Sequence, residues 1–187
     1  PVGQNIRQYL DLDDCVFEIK LTPNRADCLS LQGIAREVGA ITGTVTRLPQ
    51  VAEVTPSIAA TRAVVLDAPA ACPLYYGRVI SGVDAKAQTP EWMKRRLERS
   101  GIRSISALVD ITNYVTVGRG RPLHVFDADT LNGDIVVRMA RDGETLEALN
   151  DKTYALDPSM VVIADGAGVQ SLGGIIGGVP TGSTEST

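Results

Sequence analysis

Two neighbouring segments constrain this chain most. Met160 to Asp165, MVVIAD, is apolar on both faces. A strand without a polar face has to be covered on both sides, so the segment predicts a buried central strand. Leu172 to Gly178, LGGIIGG, then packs four glycines and two isoleucines into seven residues. Glycine at that density brings backbone close to something, either another strand or a ligand. The segment is no phosphate loop, because no GK[ST] follows, and it does not match GxGxxG at a strand-to-helix junction.

The rest of the chain reads as strands and few helices. Residues 16 to 22, VFEIKLT, alternate apolar Val16, Ile19 and Leu21 with polar Glu18 and Lys20, which predicts a half-buried strand ended by Pro23. In CLSLQGIAREVGAITG, Leu31, Ile34, Ala35, Val38 and Ile41 recur at helical spacing. Ser30 is the expected N-cap, with Asp27 as an earlier start, and Gly43 the expected stop. Two prolines, several threonines and little periodicity make the stretch from 44 to 62 a linker holding a domain boundary.

Val64 to Leu66 and YYGRVISGV, Tyr75 to Val83, predict further strands. Thr89, Pro90 and Glu91 suit the N-cap, first position and first turn of a helix through WMKRRLERS, with Trp92, Leu97 and Met93 inward. DIVVRMA, Asp134 to Ala140, is a strand, and GETLEALNDKTYALDP predicts short strands about an Asn150-Asp151 turn. The polar tail TGSTEST is expected to fray.

Chemistry concentrates in Val109 to Asp129, VDITNYVTVGRGRPLHVFDAD. It holds His124, the one histidine of the chain, with Asp110, Thr112, Asn113, Arg119, Arg121, Asp127 and Asp129 about it. LVDITNYV lacks clean helical periodicity, and Gly118, Gly120 and Pro122 break regular structure. Thr112 and Asn113 are therefore expected at the end of an ordered element, with His124 just past a glycine-rich bend, as binding sites often require. The same pattern also fits a turn with one partly buried, hydrogen-bonded histidine.

Composition narrows the function classes. The formal net charge is −4, whereas a protein held to nucleic acid by charge alone is usually basic. Any RNA contact must be local, at Lys94, Arg95, Arg96, Arg99 and Arg103; a solvated helix face is the alternative for the same residues. The three cysteines are odd in number and form no CxxC, which argues against a zinc site or a secreted disulfide framework and suits free thiols in a reducing cytoplasm. No apolar run approaches a membrane span. The chain opens on Pro1 without a signal-peptide leader and reads as a piece of a longer polypeptide.

In order along the chain, NRADCLSLQGIAREVGAITG, GIRSISALVDITNYV, GRPLHVFDAD and LGGIIGG resemble the bacterial phenylalanyl-tRNA synthetase β-subunit family. The resemblance covers nearly the whole chain. It implies an α+β fold, mixed, with largely antiparallel sheets and few helices. Residues 1–46 resemble the second half of a B1-like domain, 47–61 a linker, and 62–187 a B3/B4-like editing and tRNA-binding domain, truncated at its C-terminal end.

The resemblance also implies a function. The B3/B4 region would hydrolyse tyrosine wrongly esterified to tRNA(Phe), while an α subunit performs ATP-dependent aminoacylation. An apolar pocket for phenylalanine rejects the added hydroxyl of tyrosine only by about a hundredfold in comparable cases, so a second site that hydrogen-bonds the hydroxyl is needed. Matched by position, Thr112, Asn113 and His124 are the expected catalytic residues. Whether His124 is a general base or only positions water stays open, since water near the ester and the terminal tRNA hydroxyl can suffice.

Gly173, Gly174, Gly177 and Gly178 are the expected substrate wall, with backbone N–H groups lining it; Gly173 replaces an alanine common in the family. A glutamate on a strand beyond Thr187 is expected to complete the pocket. Lys94, Arg95 and Arg99 are the expected RNA contacts. The implied partners are the α subunit, in a heterotetramer of two α and two β, and tRNA(Phe), in the cytoplasm and with no membrane. No cofactor or metal is expected in this piece, and ATP and magnesium in the holoenzyme. Two rivals remain: a non-catalytic RNA-binding or scaffolding module, and a metal-dependent hydrolase built on His124, Asp127 and Asp129.

Overall fold

A computed structural model describes residues 2–187. After a short helix α1 (Ile6–Tyr9) and a single 3-10 turn at Ala26–Cys28, α2 (Leu31–Thr42) forms as its periodicity predicts. The Ser30 hydroxyl accepts from Gly33 N at 3.0 Å, and Gly43 closes the helix in the left-handed region at φ 68°. Residues 16 to 22 form no strand, contrary to their alternation. Val16, Phe17 and Ile19 remain 64%, 79% and 53% exposed. An alternating segment becomes a strand only when a neighbour completes its ladder, and none of the described residues does so here.

The main sheet has the order β1-β2-β5-β6-β7, with β1 Val64–Leu66, β2 Ile135–Met139, β5 Val161–Asp165, β6 Gly168–Leu172 and β7 Ile176–Gly177. Its β1–β2 pair is parallel, Val64 opposite Ile135, and every other pair is antiparallel. MVVIAD is the central strand β5, with Val162 and Ala164 buried. Between β2 and β5 in sequence lie β3 (Thr145–Ala148) and β4 (Lys152–Ala155), a hairpin turned at Asp151, whose φ is 62°. Ala140, Leu146, Ala148, Leu156, Val162 and Leu172 form one apolar cluster between hairpin and sheet. The arrangement is α+β and largely antiparallel, as expected.

Three further expectations give way. Tyr75 to Val83 forms no strand; Tyr76 and Ile80 are 81% and 69% exposed, and β1 keeps a free edge. In α3 (Glu91–Arg99) the N-cap is Pro90 rather than Thr89, because the Thr89 hydroxyl donates to Asp110 Oδ2 at 2.5 Å instead. Met93 and Leu97 are buried, but Trp92 is half exposed and takes an edge-on contact with Tyr114.

LVDITNYV belongs to a regular helix, α4 (Ala107–Arg119), capped by the Ser106 hydroxyl and closed by Gly120 at φ 73°. Thr112 and Asn113 lie mid-helix, not at its end. The helix hides from periodicity because its buried positions are Ala107 and the charged Asp110. Its neighbours are α2 and α3.

The tail is tied down rather than frayed. Thr181 is 1% exposed and its carbonyl accepts from Asp127 N at 2.9 Å. Phe126 bridges Gly182, and the Thr187 hydroxyl donates to Asp127 Oδ2 at 2.9 Å.

Candidate functional site

His124 follows the close of α4 and reaches the glycine-rich hairpin. A Cβ built on Gly177 would stand 2.1 Å from its Cε1 and 2.6 Å from its Nε2, so the imidazole rests directly on glycine backbone. Phe126 meets the ring edge-on, with centroids 4.5 Å apart. His124 is exposed as a whole, and only the flank against Gly177 and Phe126 is shielded from solvent. Desolvation alone lowers its pKa from the ordinary 6.5, favouring the neutral imidazole.

The glycine wall is made by the turn from β6 into β7. Ser171 pairs with Gly177 and Leu172 with Ile176, while Gly174 turns the chain at φ 72°. Gly178 is wedged in: a Cβ there would lie 2.8 Å from both Gln170 O and Leu146 Cδ1. At Gly173 a Cβ would lie 3.1 Å from Val161 Cγ1 and 3.2 Å from the Val161 carbonyl oxygen, tight against a β-branched side chain and backbone. The N–H groups of Gly173, Ile175 and Gly178 donate to Val161, Leu172 and Gln170. These donors are therefore used within the sheet, against the expectation that they line a pocket. What the wall offers a ligand is close approach.

The remaining candidates are placed elsewhere. The Thr112 hydroxyl donates to Val109 O at 2.7 Å within its own helix. Among the described residues no hydrogen bond links Thr112 or Asn113 to His124 or to the wall. Thus the structure brings His124 and Gly177 together and joins neither directly to Thr112 and Asn113.

On α3, Arg95 lies 3.3 Å from Asp11 Oδ2, and Arg99 reaches Asp14 Oδ2 at 2.7 Å as well as Asp11. Arg96 instead donates to the Tyr114 hydroxyl at 2.9 Å and stands over Trp92. Lys94 is half-buried, and its charge helps hold Asp110 ionised.

Asp127 is 8% exposed and takes hydrogen bonds from Asp129 N and Thr187, so it is turned away from any shared ligand set with His124. Among the described residues, the groups close enough to hold an ion together are Asp27, Cys28 and Glu37. Arg25 fills that space, donating to Glu37 Oε2 at 2.5 Å, Asp27 Oδ2 at 3.0 Å and Cys28 Sγ at 3.1 Å. The cation is already supplied by the chain.

Two features escape a reading of the sequence. Asp110 is wholly buried and takes the Thr89 and Ser104 hydroxyls at 2.5 Å each and Ile105 N at 2.9 Å. Burial would raise its pKa, but the Ser104 and Thr89 hydroxyls, the Ile105 N–H and the charge of Lys94 outweigh it and hold the carboxyl low. The second is the pairing of Asp127 with Thr187. Thr89, with its capping pattern, was a signal for a different bond, and Thr187 carried none.

Comparison with known proteins matches residues 71–187 to the B3/4 domain family. The phenylalanine–tRNA ligase β subunit of Dechloromonas aromatica is 65% identical over 187 residues, all of this chain and 24% of that protein. That of Neisseria meningitidis serogroup A is 57% identical over the same length, and that of Bordetella pertussis 56% over 185 residues. The chain thus spans about a quarter of the length of these relatives, 24% in the first. Among solved structures, an N-terminal fragment of the phenylalanyl-tRNA synthetase β-subunit from Pyrococcus horikoshii matches 98% of this chain and 60% of its own at 19% identity, with a TM-score of 0.44.

Proposed function

The chain belongs to the B3/4 domain family, in the form carried by bacterial phenylalanine–tRNA ligase β subunits, and from that we propose that it hydrolyses tyrosine misattached to tRNA(Phe) within the whole ligase. The carrying observation is the imidazole of His124 laid on Gly177 beside a side-chain-free hairpin. Such a surface lets the flat ester end of an aminoacyl-tRNA approach closely while a neutral ring nitrogen hydrogen-bonds the attacking water or the ester. Thr112 and Asn113 act from α4 on the substrate rather than on His124. Gly173, Gly174 and Gly178 keep the wall low.

In this reading, residues 62–187 form the editing domain, 1–46 belong to a B1-like piece, and 47–61 link the two. Aminoacylation, with its ATP and magnesium, belongs to the partner α subunit. The test uses the full-length ligase carrying both subunits. His124→Ala should slow deacylation of tyrosyl-tRNA(Phe) about five- to a hundredfold, the worth of one positioned hydrogen bond, and leave phenylalanine charging intact. Deacylation at the wild-type rate in a folded variant overturns the assignment.

A further inference from the structure

The segment that carries His124 has its own anchor, sixty positions away in the chain. The Asp127 carboxylate is buried, and its Oδ2 accepts the Thr187 hydroxyl at 2.9 Å. The same hydroxyl accepts from Thr184 N at 2.7 Å, so both its donor and its acceptor capacity are engaged. Asp127 Oδ1 takes Asp129 N at 3.1 Å, and Asp127 N donates to Thr181 O at 2.9 Å. Phe126 bridges Gly182 across the same seam. The 181–187 segment leaves the glycine wall directly, through Gly178, Val179 and Pro180.

The seam therefore connects the two halves of the candidate site. One strand of it begins two residues after His124, at Phe126, and the other begins four residues after Gly177, at Thr181. If the seam slides or opens, the ring leaves the wall, because the ring contacts Gly177 and Phe126 and, among the described residues, no hydrogen bond to the imidazole holds it there. A buried carboxylate with a single side-chain donor suits this role, since losing the donor leaves an acceptor unsatisfied and favours rearrangement.

We propose that Asp127 and Thr187 are positioning residues, whose hydrogen bond registers the His124 segment on the glycine wall for ester hydrolysis. The inference rests on the editing reading above. Neither residue need touch the substrate, and the effect is transmitted through backbone register, where a displacement of about 1 Å can cost a hundredfold in rate.

The experiment uses full-length ligase with both subunits and tyrosyl-tRNA(Phe) as substrate, comparing wild type with His124→Ala, Thr187→Val and Thr187→Ser. Thr187→Val keeps the shape and removes the hydroxyl; Thr187→Ser keeps the hydroxyl. The expected result is a fall of about tenfold or more in kcat for deacylation in Thr187→Val, with KM and phenylalanine charging unchanged, and recovery in Thr187→Ser.

A pH profile adds an independent reading. Gly177 and Phe126 carry no charge, and the Asp127 carboxylate is turned to Thr187 and Asp129 N. A ring released from the wall is rehydrated, so in Thr187→Val the acid limb of the profile should move up toward the ordinary histidine range. Wild-type deacylation in Thr187→Val, with His124→Ala impaired, overturns the positioning role and leaves the editing reading standing. Wild-type deacylation in His124→Ala overturns both. Equal losses in Thr187→Val and Thr187→Ser, or losses accompanied by lower melting temperature and charging, assign the residue to folding alone.

Discussion

Gly177 supports the His124 ring at a distance that excludes any side chain: a Cβ would lie 2.1 Å from Cε1, 2.6 Å from Nε2 and 3.0 Å from Nδ1. No rotation within the ring plane relieves three such contacts, so Gly177→Ala must expel the imidazole or lift the hairpin. In the full-length ligase, tyrosyl-tRNA deacylation should fall at least as far as in His124→Ala. Because His124 is an exposed side chain that can swing away, the cost to stability should be small, and the effect falls on the ring's position. Gly143→Ala, in the turn between β2 and β3, is the control. Nothing lies within 4 Å of a Cβ there, but φ is 81°, so only backbone strain of roughly 1–2 kcal/mol is expected. Urea denaturation beside deacylation rates separates the two: comparable editing in both variants would mean that the ring does not need the wall.

The pH dependence of deacylation follows from His124. Its pKa is lowered by desolvation, so the neutral ring persists below the ordinary value of 6.5. The editing rate should therefore hold constant as pH falls through 6.5 and drop only at lower pH, a limb that His124→Ala abolishes. The stability contribution has the same sign. Protonation is easier in the unfolded chain, so any stability from the neutral ring is lost as pH falls below the unfolded value. An acid limb centred above that value, measured with pre-formed tyrosyl-tRNA, counts against the desolvated geometry.

Asp110 should matter for folding and not for chemistry. It joins the Thr89 entry to α3 with Ser104 and Ile105 at the entry to α4. Asp110→Ala leaves two part-buried hydroxyls and an N–H without their acceptor, which at about 0.5–1 kcal/mol each predicts a loss of roughly 1.5–3 kcal/mol. Its pKa is held below the ordinary carboxylate value, so its contribution is present above pH about 4 and fades as pH falls. Denaturant melts of wild type and variant at pH 7 and at pH about 3 or lower test both statements.

Arg138 and Glu144 make the same argument on the sheet. Arg138 is 7% exposed and donates to both Glu144 oxygens, at 2.6 and 2.8 Å. The Arg138 hydrogen bonds pull Glu144 from 4.5 down to about 2. The pair therefore stabilises fully above pH 4.5 and loses its contribution between there and about 2. Glu144→Ala strands a buried guanidinium and should cost about 3–5 kcal/mol at pH 7. Its melting temperature should also vary less than that of wild type across the acid window. A loss under 1 kcal/mol would show that water replaces the carboxylate.

How far the sequence reached depends on the range of the forces involved. β5 was legible because a two-faced apolar run has one stable place in a sheet, and α2 because capping and periodicity are local. VFEIKLT and YYGRVISGV were not, since alternation states a preference that only a partner strand satisfies. α4 was misjudged for a different reason: it buries a carboxylate, so its inward face is written in Asp110, Thr89 and Ser104 rather than in leucines. At the site, His124 and the glycine-rich hairpin could each be picked out, but their contact joins residues fifty-three apart. Asp127 and Thr187 were unreadable as a pair because neither carries a local signal for the other.

The last prediction concerns α3, where sequence suggested an RNA-facing set and the structure engages two of its members. Asp11 and Asp14 sit against Arg95 and Arg99, with side chains still partly exposed. Exposed pairs of this kind are worth about 0–1 kcal/mol, so Asp11→Asn with Asp14→Asn should leave the melting temperature nearly unchanged. Its effect on RNA should be larger. Phosphates and these carboxylates compete for the same guanidinium groups, and neutralising the acids removes that competing charge, though Arg99 keeps its bond to the Asp11 carbonyl. If α3 meets tRNA, the double variant in full-length ligase should bind tRNA(Phe) more tightly, with a steeper fall in affinity as salt rises. Arg95→Ala with Arg99→Ala should do the reverse. Unchanged affinity and salt slope in both variants would make the α3 cations a solvated face that clasps the N-terminal segment and nothing more.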